Sequence, residues 1–287
     1  MSGVLKPRVS GAFVFVLAWL AASAAFSQGD AKRGEYLAKA GGCAGCHTPL
    51  DGPPYAGGRA LDTPFGTFYG PNITPHAQAG IGRWSEADFV RALRHGRRPD
   101  GAHYFPAFPY TSFTFITDPD LRDLWAYLRT LTPSERPNRD HNLGLFYRWR
   151  FLVGIWNWLF FTPGPFTSDP AASPMLDRGR YLVTALGHCG ECHTARNFLG
   201  ALKRKQALAG AKLPEGRAPN LTPTGLKKWN DSELASFLRT GSSPEGDATS
   251  DVMYEVVRNT TSQLRQEDLG ALVAYLRSLR PLPDEAK

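Results

Sequence analysis

Cys43-Ala44-Gly45-Cys46-His47 and Cys189-Gly190-Glu191-Cys192-His193 together hold all four cysteines of the 287-residue chain. The pattern C-x-x-C-H is the attachment site of a c-type haem. Two thiols at that spacing reach the two vinyl groups on one porphyrin edge and form thioethers. The adjoining histidine is then held under the iron as its proximal ligand. Other readings fit less well. A thioredoxin-like C-x-x-C needs a βαβ context and no histidine. A zinc site would have to join two halves well over a hundred residues apart. A disulfide explains neither the histidine nor the repetition.

Outward from the motifs, the flanks repeat as well. Arg33-Gly34-Glu35-Tyr36-Leu37 precedes the first motif and Arg178-Gly179-Arg180-Tyr181-Leu182 the second, with one extra residue before Cys189. Pro71-Asn72-Ile73-Thr74-Pro75 echoes Pro219-Asn220-Leu221-Thr222-Pro223. Trp84 leads into Phe89, Leu93 and Gly96; Trp229 leads into Leu234, Leu238 and Gly241. Each half closes on a run with one apolar face: Leu121, Leu124, Trp125, Leu128 and Leu131, then Leu269, Leu272, Val273, Leu276 and Leu279. Pro133 and Pro281 stop these runs.

The repeat predicts two tandem all-α domains, residues 28–132 and 177–287. Each has a first helix near Asp30 or Asp177 that ends in the haem motif, a middle helix capped by Ser85 or Asn230, and a final helix after Asp118 or Gln266. Gly34 and Gly179 are expected to let the first helix approach the last near Tyr127 and Tyr275. Little strand pattern is visible. The scattered Asp and Glu residues read as solvated helix faces and caps.

Residues 133–176 break the repeat. This connector is rich in proline and in aromatics, among them Trp149, Trp156, Trp158, Phe160 and Phe161. Its apolar run of about eleven residues is too short to span a bilayer. It reads as packing between domains or against a partner, with a membrane-surface contact as the second reading.

Residues 1–27 read as an export signal. Lys6 and Arg8 are followed by the apolar stretch Gly11 to Ala22 and small residues, with cleavage expected after Ser27 or, second, Ala24. An uncleaved anchor is the alternative. Either way the rest of the chain is expected to face an oxidising compartment outside the cytoplasm. Without Lys6 and Arg8, 31 basic residues face 26 acidic ones. That modest, scattered excess calls for no nucleic acid partner. With 42% hydrophobic and 21% charged residues, the chain is neither disordered nor a multi-span membrane protein.

These pieces resemble the class I cytochrome c superfamily, and more closely the multihaem cytochrome c subunits of bacterial periplasmic dehydrogenases, of which alcohol dehydrogenase has one. Beside the two C-x-x-C-H sites, the stretches that carry the resemblance are Pro71 to Pro75, Gly80-Ile81-Gly82-Arg83-Trp84-Ser85, Pro106-Ala107-Phe108-Pro109-Tyr110-Thr111-Ser112-Phe113 and Leu186 to Thr194. The resemblance covers nearly the whole chain after the signal, and the third haem domain of some of those subunits is not expected here, since the sequence holds two C-x-x-C-H motifs. It implies two covalent haem c groups on Cys43, Cys46, Cys189 and Cys192, with His47 and His193 as proximal ligands. It also implies electron transfer from a dehydrogenase to a cytochrome or oxidase of a respiratory chain.

Methionine is the usual sixth ligand in such proteins. Met253, after the middle helix of the second half, is expected to fill that place for the second haem; Met175 is expected to pack. The first half departs from the pattern, because similar subunits often carry methionine where Phe108 stands. His103 is the leading candidate there, with an open or water-ligated iron and His95 as alternatives. Two functional readings follow. One is an electron carrier with no substrate of its own. The other is a dihaem oxidoreductase, peroxidase-like or sulfur-oxidising, with an open first iron.

Overall fold

The computed structural model describes residues 29–284 other than 215 and 250; the export signal expected over residues 1–27 lies outside them. Helix α1 (Ala31–Ala40) starts on Asp30, whose carboxylate accepts from the backbone N–H groups of Lys32 and Arg33. Left-handed Gly42 separates it from α2 (Cys43–His47). A hairpin of β1 (Ala60–Thr63) and β2 (Gly66–Tyr69) follows, with Leu61 opposite Phe68. Ser85 and Asp88 form a capping box at the start of α3 (Glu86–His95). The short α4 (Tyr110–Phe113) precedes α5 (Asp118–Leu128), which is capped by Thr117.

Strand β3 (Asn142–Leu143) then adds antiparallel to β2, and α6 (Arg150–Phe160) follows. The second half begins with α7 (Pro174–Tyr181) on Ser173, three residues earlier than expected. Next come α8 (Gly190–His193), the hairpin β4 (Ala211–Leu213) with β5 (Gly216–Ala218), and α9 (Asp231–Thr240). Asn230 and Glu233 close the capping box of α9, matching Ser85 and Asp88. Helices α10 (Asp251–Asn259) and α11 (Gln266–Ser278) complete the chain.

The all-α expectation is therefore corrected: beside the helices, the described residues form two small antiparallel sheets. Their strands are two to four residues long, too short to display an alternating pattern. The extra residue before Cys189 also has a structural account. Helix α7 runs into a π-helical turn, Leu182–Leu186, in which Gly187 N–H donates to Leu182 O at 2.7 Å. A π turn takes up one added residue without breaking the helix.

Helices α1 and α5 cross closely, and so do α7 and α11. A Cβ on Gly34 would lie 1.9 Å from the Asp123 carbonyl oxygen and 2.8 Å from Tyr127 Cβ. On Gly179 it would lie 2.0 Å from the Ala271 oxygen and 2.7 Å from Tyr275 Cβ. Only glycine permits the backbones to meet there. Both halves feed one contiguous apolar core, with Leu37, Leu121 and Leu124 from the first and Leu182, Leu186, Leu269 and Leu272 from the second.

The ion pairs between these helices are also repeated. Arg33 pairs with Asp120 and Asp123, and Arg178 grips Asp268 through Nε at 2.7 Å and Nη2 at 2.6 Å. Each carboxylate cluster is then touched by the other half: Tyr36 Oη donates to Asp268, and Tyr181 Oη donates to Asp120 at 2.6 Å. Asp120, Asp123 and Asp268 are buried, so the expectation of solvated acidic faces fails for these three. A carboxylate in sequence carries no sign of the arginine that will neutralise it.

Candidate functional site

In each half the motif helix is held to the Pro-Asn repeat through its histidine. His47 Nδ1 lies 2.7 Å from Pro71 O, and His193 Nδ1 lies 2.7 Å from Pro219 O. A carbonyl only accepts, so Nδ1 carries the proton and Nε2 keeps its lone pair for a metal. Burial lowers the pKa of both rings and outweighs the opposing pull of the carbonyl, which keeps them neutral.

The role of the repeated Pro-Asn segment, which the sequence marks but does not explain, is visible here. Asn72 Oδ1 accepts from the backbone N–H and hydroxyl of Thr74, while its Nδ2 donates to Ser134 O and Arg136 O. Asn220 repeats the clamp on Thr222, Leu282 O and Asp284 Oδ1. The asparagines fix the loop whose proline carbonyl orients the histidine.

No disulfide joins the cysteines. Burial pushes the thiols of Cys43 and Cys189 up to about 12, and it raises Cys46 as well. This is the reverse of the lowered thiol of a dithiol oxidoreductase. Two unbridged thiols beside a neutral, Nδ1-anchored histidine make a donor set that fits haem c in each half. Among the described residues, no cluster of His, Cys, Asp and Glu forms another metal site.

The two motifs stand at one seam. Thr111 and Ser112 of the first half donate to Glu191 Oε1, inside the second motif, at 2.9 and 2.7 Å. A Cβ on Gly45, inside the first motif, would lie 3.7 Å from Asn259 Nδ2 of the second half.

The candidate sixth ligands part company. Met253 sits half-buried on α10 against the core. The His103 ring is turned towards α6. Its Nδ1 is 3.0 Å from Asn157 Nδ2, and its Nε2 is 3.0 Å from where a Cβ on Gly154 would stand. Both nitrogens face α6, a partner that lies about fifty positions away and leaves no trace near His103 in the sequence. His95 is exposed at the end of α3. Met175 is half exposed, with its methyl over Gly270.

The cytochrome c family model matches residues 31–132 and again 176–280. A diheme cytochrome c-type protein of Cereibacter sphaeroides is 46% identical over 256 residues, which cover 87% of this chain and 86% of that protein. The fructose dehydrogenase cytochrome subunit of Gluconobacter japonicus is 41% identical over 253 residues, 86% of this chain and 52% of that one. An alcohol dehydrogenase (quinone) cytochrome c subunit of Komagataeibacter europaeus is 38% identical over 265 residues, 88% of this chain and 56% of that one. The chain thus spans about half the length of the dehydrogenase subunits. With two family matches, each containing one anchored C-x-x-C-H site for a covalent haem c, the chain belongs to the cytochrome c family.

Proposed function

We propose that the protein is an electron-transfer subunit that receives electrons from a dehydrogenase and delivers them to a cytochrome or oxidase of a respiratory chain. The observation that carries this reading is the shared seam of the two motifs, together with relatives named as cytochrome subunits of fructose, alcohol and gluconate dehydrogenases. Those names give no support to a dihaem oxidoreductase acting on its own substrate.

Bound haem c supplies one-electron chemistry, with the iron alternating between ferric and ferrous. The chain's part is to hold and to exclude. Cys43 and Cys46, then Cys189 and Cys192, are the tethers, and His47 and His193 the proximal ligands. Met253 would supply the sixth ligand in the second half. The asparagine clamps and the Tyr–Asp links keep both halves in one arrangement, so little has to reorganise when a charge moves.

Helix α6 leaves Phe151, Ile155, Trp158 and Leu159 exposed, with Trp158 at 82%. Val153 and Asn157 are the buried side. An apolar stripe facing outward supports a docking face for the dehydrogenase, in preference to the bilayer, because Trp156 and Arg204 already tie this helix to the second half. Among the described residues no helix is long and apolar enough to cross a membrane. We place the protein in the periplasm, with residues 1–27 as its signal, residues 28–132 and 177–287 as the haem domains and residues 133–176 joining them.

The test is to purify the tagged holoprotein gently from periplasm and membranes, then add alcohol, fructose and gluconate in turn. Reduction of its haem by one of them, through a co-purifying dehydrogenase, is the expected result. A holoprotein found in the cytoplasm, or one that stays ferric with every dehydrogenase substrate and partner supplied, would overturn the reading. Flotation with anionic vesicles separates bilayer docking from protein docking.

A further inference from the structure

The two halves share one backbone register for eight residues after their middle helices, and counting on from it brings Phe108 to the position of Met253. Gly96 ends α3 in the left-handed region (φ 59°), and Gly241 ends α9 in the same way (φ 78°). Each is followed by the same turn. Arg98 N–H donates to Ala102 O at 2.8 Å, and Ser243 N–H donates to Asp247 O at 2.8 Å. Gly101 N–H donates to Arg98 O at 2.9 Å, and Gly246 N–H to Ser243 O at 2.9 Å. Tyr104 N–H returns to Gly96 O at 2.7 Å, and Thr249 N–H returns to Gly241 O at 2.9 Å. The bridges Arg97 to His103 and Ser242 to Ala248 complete the match. His103 therefore corresponds to Ala248. Phe108, the twelfth residue after Gly96, corresponds to Met253, the twelfth after Gly241.

A thioether binds iron and a phenyl ring does not. The Phe108 ring sits among aromatics, with centroids 5.3 Å from Tyr104, 5.8 Å from Phe113 and 6.2 Å from Tyr110. The other nitrogen donors of the first half are engaged or exposed. His103 is turned to α6. His76 Nδ1 accepts from Ala79 N–H, His141 Nδ1 accepts from Tyr69 N–H at 3.2 Å, and His95 is on the surface. A cluster of uncharged rings at the ligand position would disfavour an anion and admit a small neutral molecule.

We propose that the first haem site takes its sixth ligand from outside the chain, a small neutral diatomic such as carbon monoxide or nitric oxide, because Phe108 replaces the methionine that Met253 supplies in the second half. This is a binding site, with no reaction attached, and it rests on the reading that both motifs carry haem. A haem count by pyridine haemochrome tests that reading separately: two per chain are needed before the ligand test applies, and fewer would refute the attachment reading itself.

The experiment is carbon monoxide titration of the dithionite-reduced holoprotein, followed by difference spectroscopy, with electron paramagnetic resonance of the ferric form. The wild-type chain is expected to bind one carbon monoxide per two haems and to show one high-spin and one low-spin ferric signal. F108L should keep that site. F108M should weaken carbon monoxide binding at least about tenfold and turn the high-spin signal low-spin. Two low-spin signals and no carbon monoxide binding in the wild-type protein would overturn the proposal. So would F108M binding as tightly as F108L. The wild-type measurement decides alone if F108M fails to fold.

Discussion

The hydroxyl of Tyr36, on the first helix, donates to the carboxylate of Asp268, on the last, at 2.5 Å across 232 positions of sequence. Tyr181 does the same for Asp120 in the opposite direction, at 2.6 Å. Each half thus completes the hydrogen bonding of a buried carboxylate that the other half has already paired with arginine. This exchange joins two haem domains into one body.

Removing one of those hydroxyls leaves a buried carboxylate with a lone pair unsatisfied. Y36F and Y181F should each cost about 1.5–3 kcal/mol. The double variant should split a single cooperative urea transition into two, followed by circular dichroism and by haem absorbance. A double variant that unfolds in one transition at the parent midpoint would mean the Tyr–Asp links do not couple the halves.

The Asp268 carboxyl is subject to opposing pulls. Burial raises its pKa, but the Arg178 fork and the Tyr36 hydroxyl outweigh that and hold it below the usual carboxylate value. Its contribution to stability is therefore complete above the unfolded-chain value near about pH 4 and is lost as pH falls through the lower folded value. D268N should be less stable than the parent at neutral pH and lose less on acidification between about pH 5 and pH 3. Denaturant midpoints across that range make the comparison, and parallel acid limbs would exclude Asp268 as a contributor.

The helix crossings leave no room for a methyl group at Gly34 or Gly179. G34A and G179A should each cost about 3 kcal/mol or prevent holoprotein accumulation, because the obstacle is backbone. G164A, where a Cβ meets nothing within 4 Å, should change the thermal midpoint little. Equal tolerance of all three would show that the crossings can relax.

Asn72 holds the proline loop that orients His47. N72A removes its clamp on Thr74, Ser134 and Arg136 and should cost about 2–3 kcal/mol. By loosening the Pro71 carbonyl, it should also move the reduction potential of the first haem while leaving the second where it was. Spectroelectrochemical titration of both haems reads this directly. A shift in the second haem instead would place the effect of Asn72 elsewhere.

Much of this protein is legible in its residues. The C-x-x-C-H motifs, the repeated flanks, Ser85 and Asn230 as caps, and Gly34 and Gly179 as close-approach points are local signals. Their chemistry acts on residues a few positions away or repeats at a constant spacing. The correspondence of Phe108 with Met253 needed the backbone turns that follow Gly96 and Gly241. The short strands escaped because two to four residues cannot establish a period.

Partners far apart in the chain were decided by the tertiary structure alone. Arg178 and Tyr36 choose Asp268, Pro71 O chooses His47 Nδ1, and α6 claims both nitrogens of His103. A titratable side chain declares its chemistry in the sequence. Whether it meets solvent, metal or an opposite charge depends on which distant surface the core brings against it, and that follows from burying the apolar faces of both halves in one cluster.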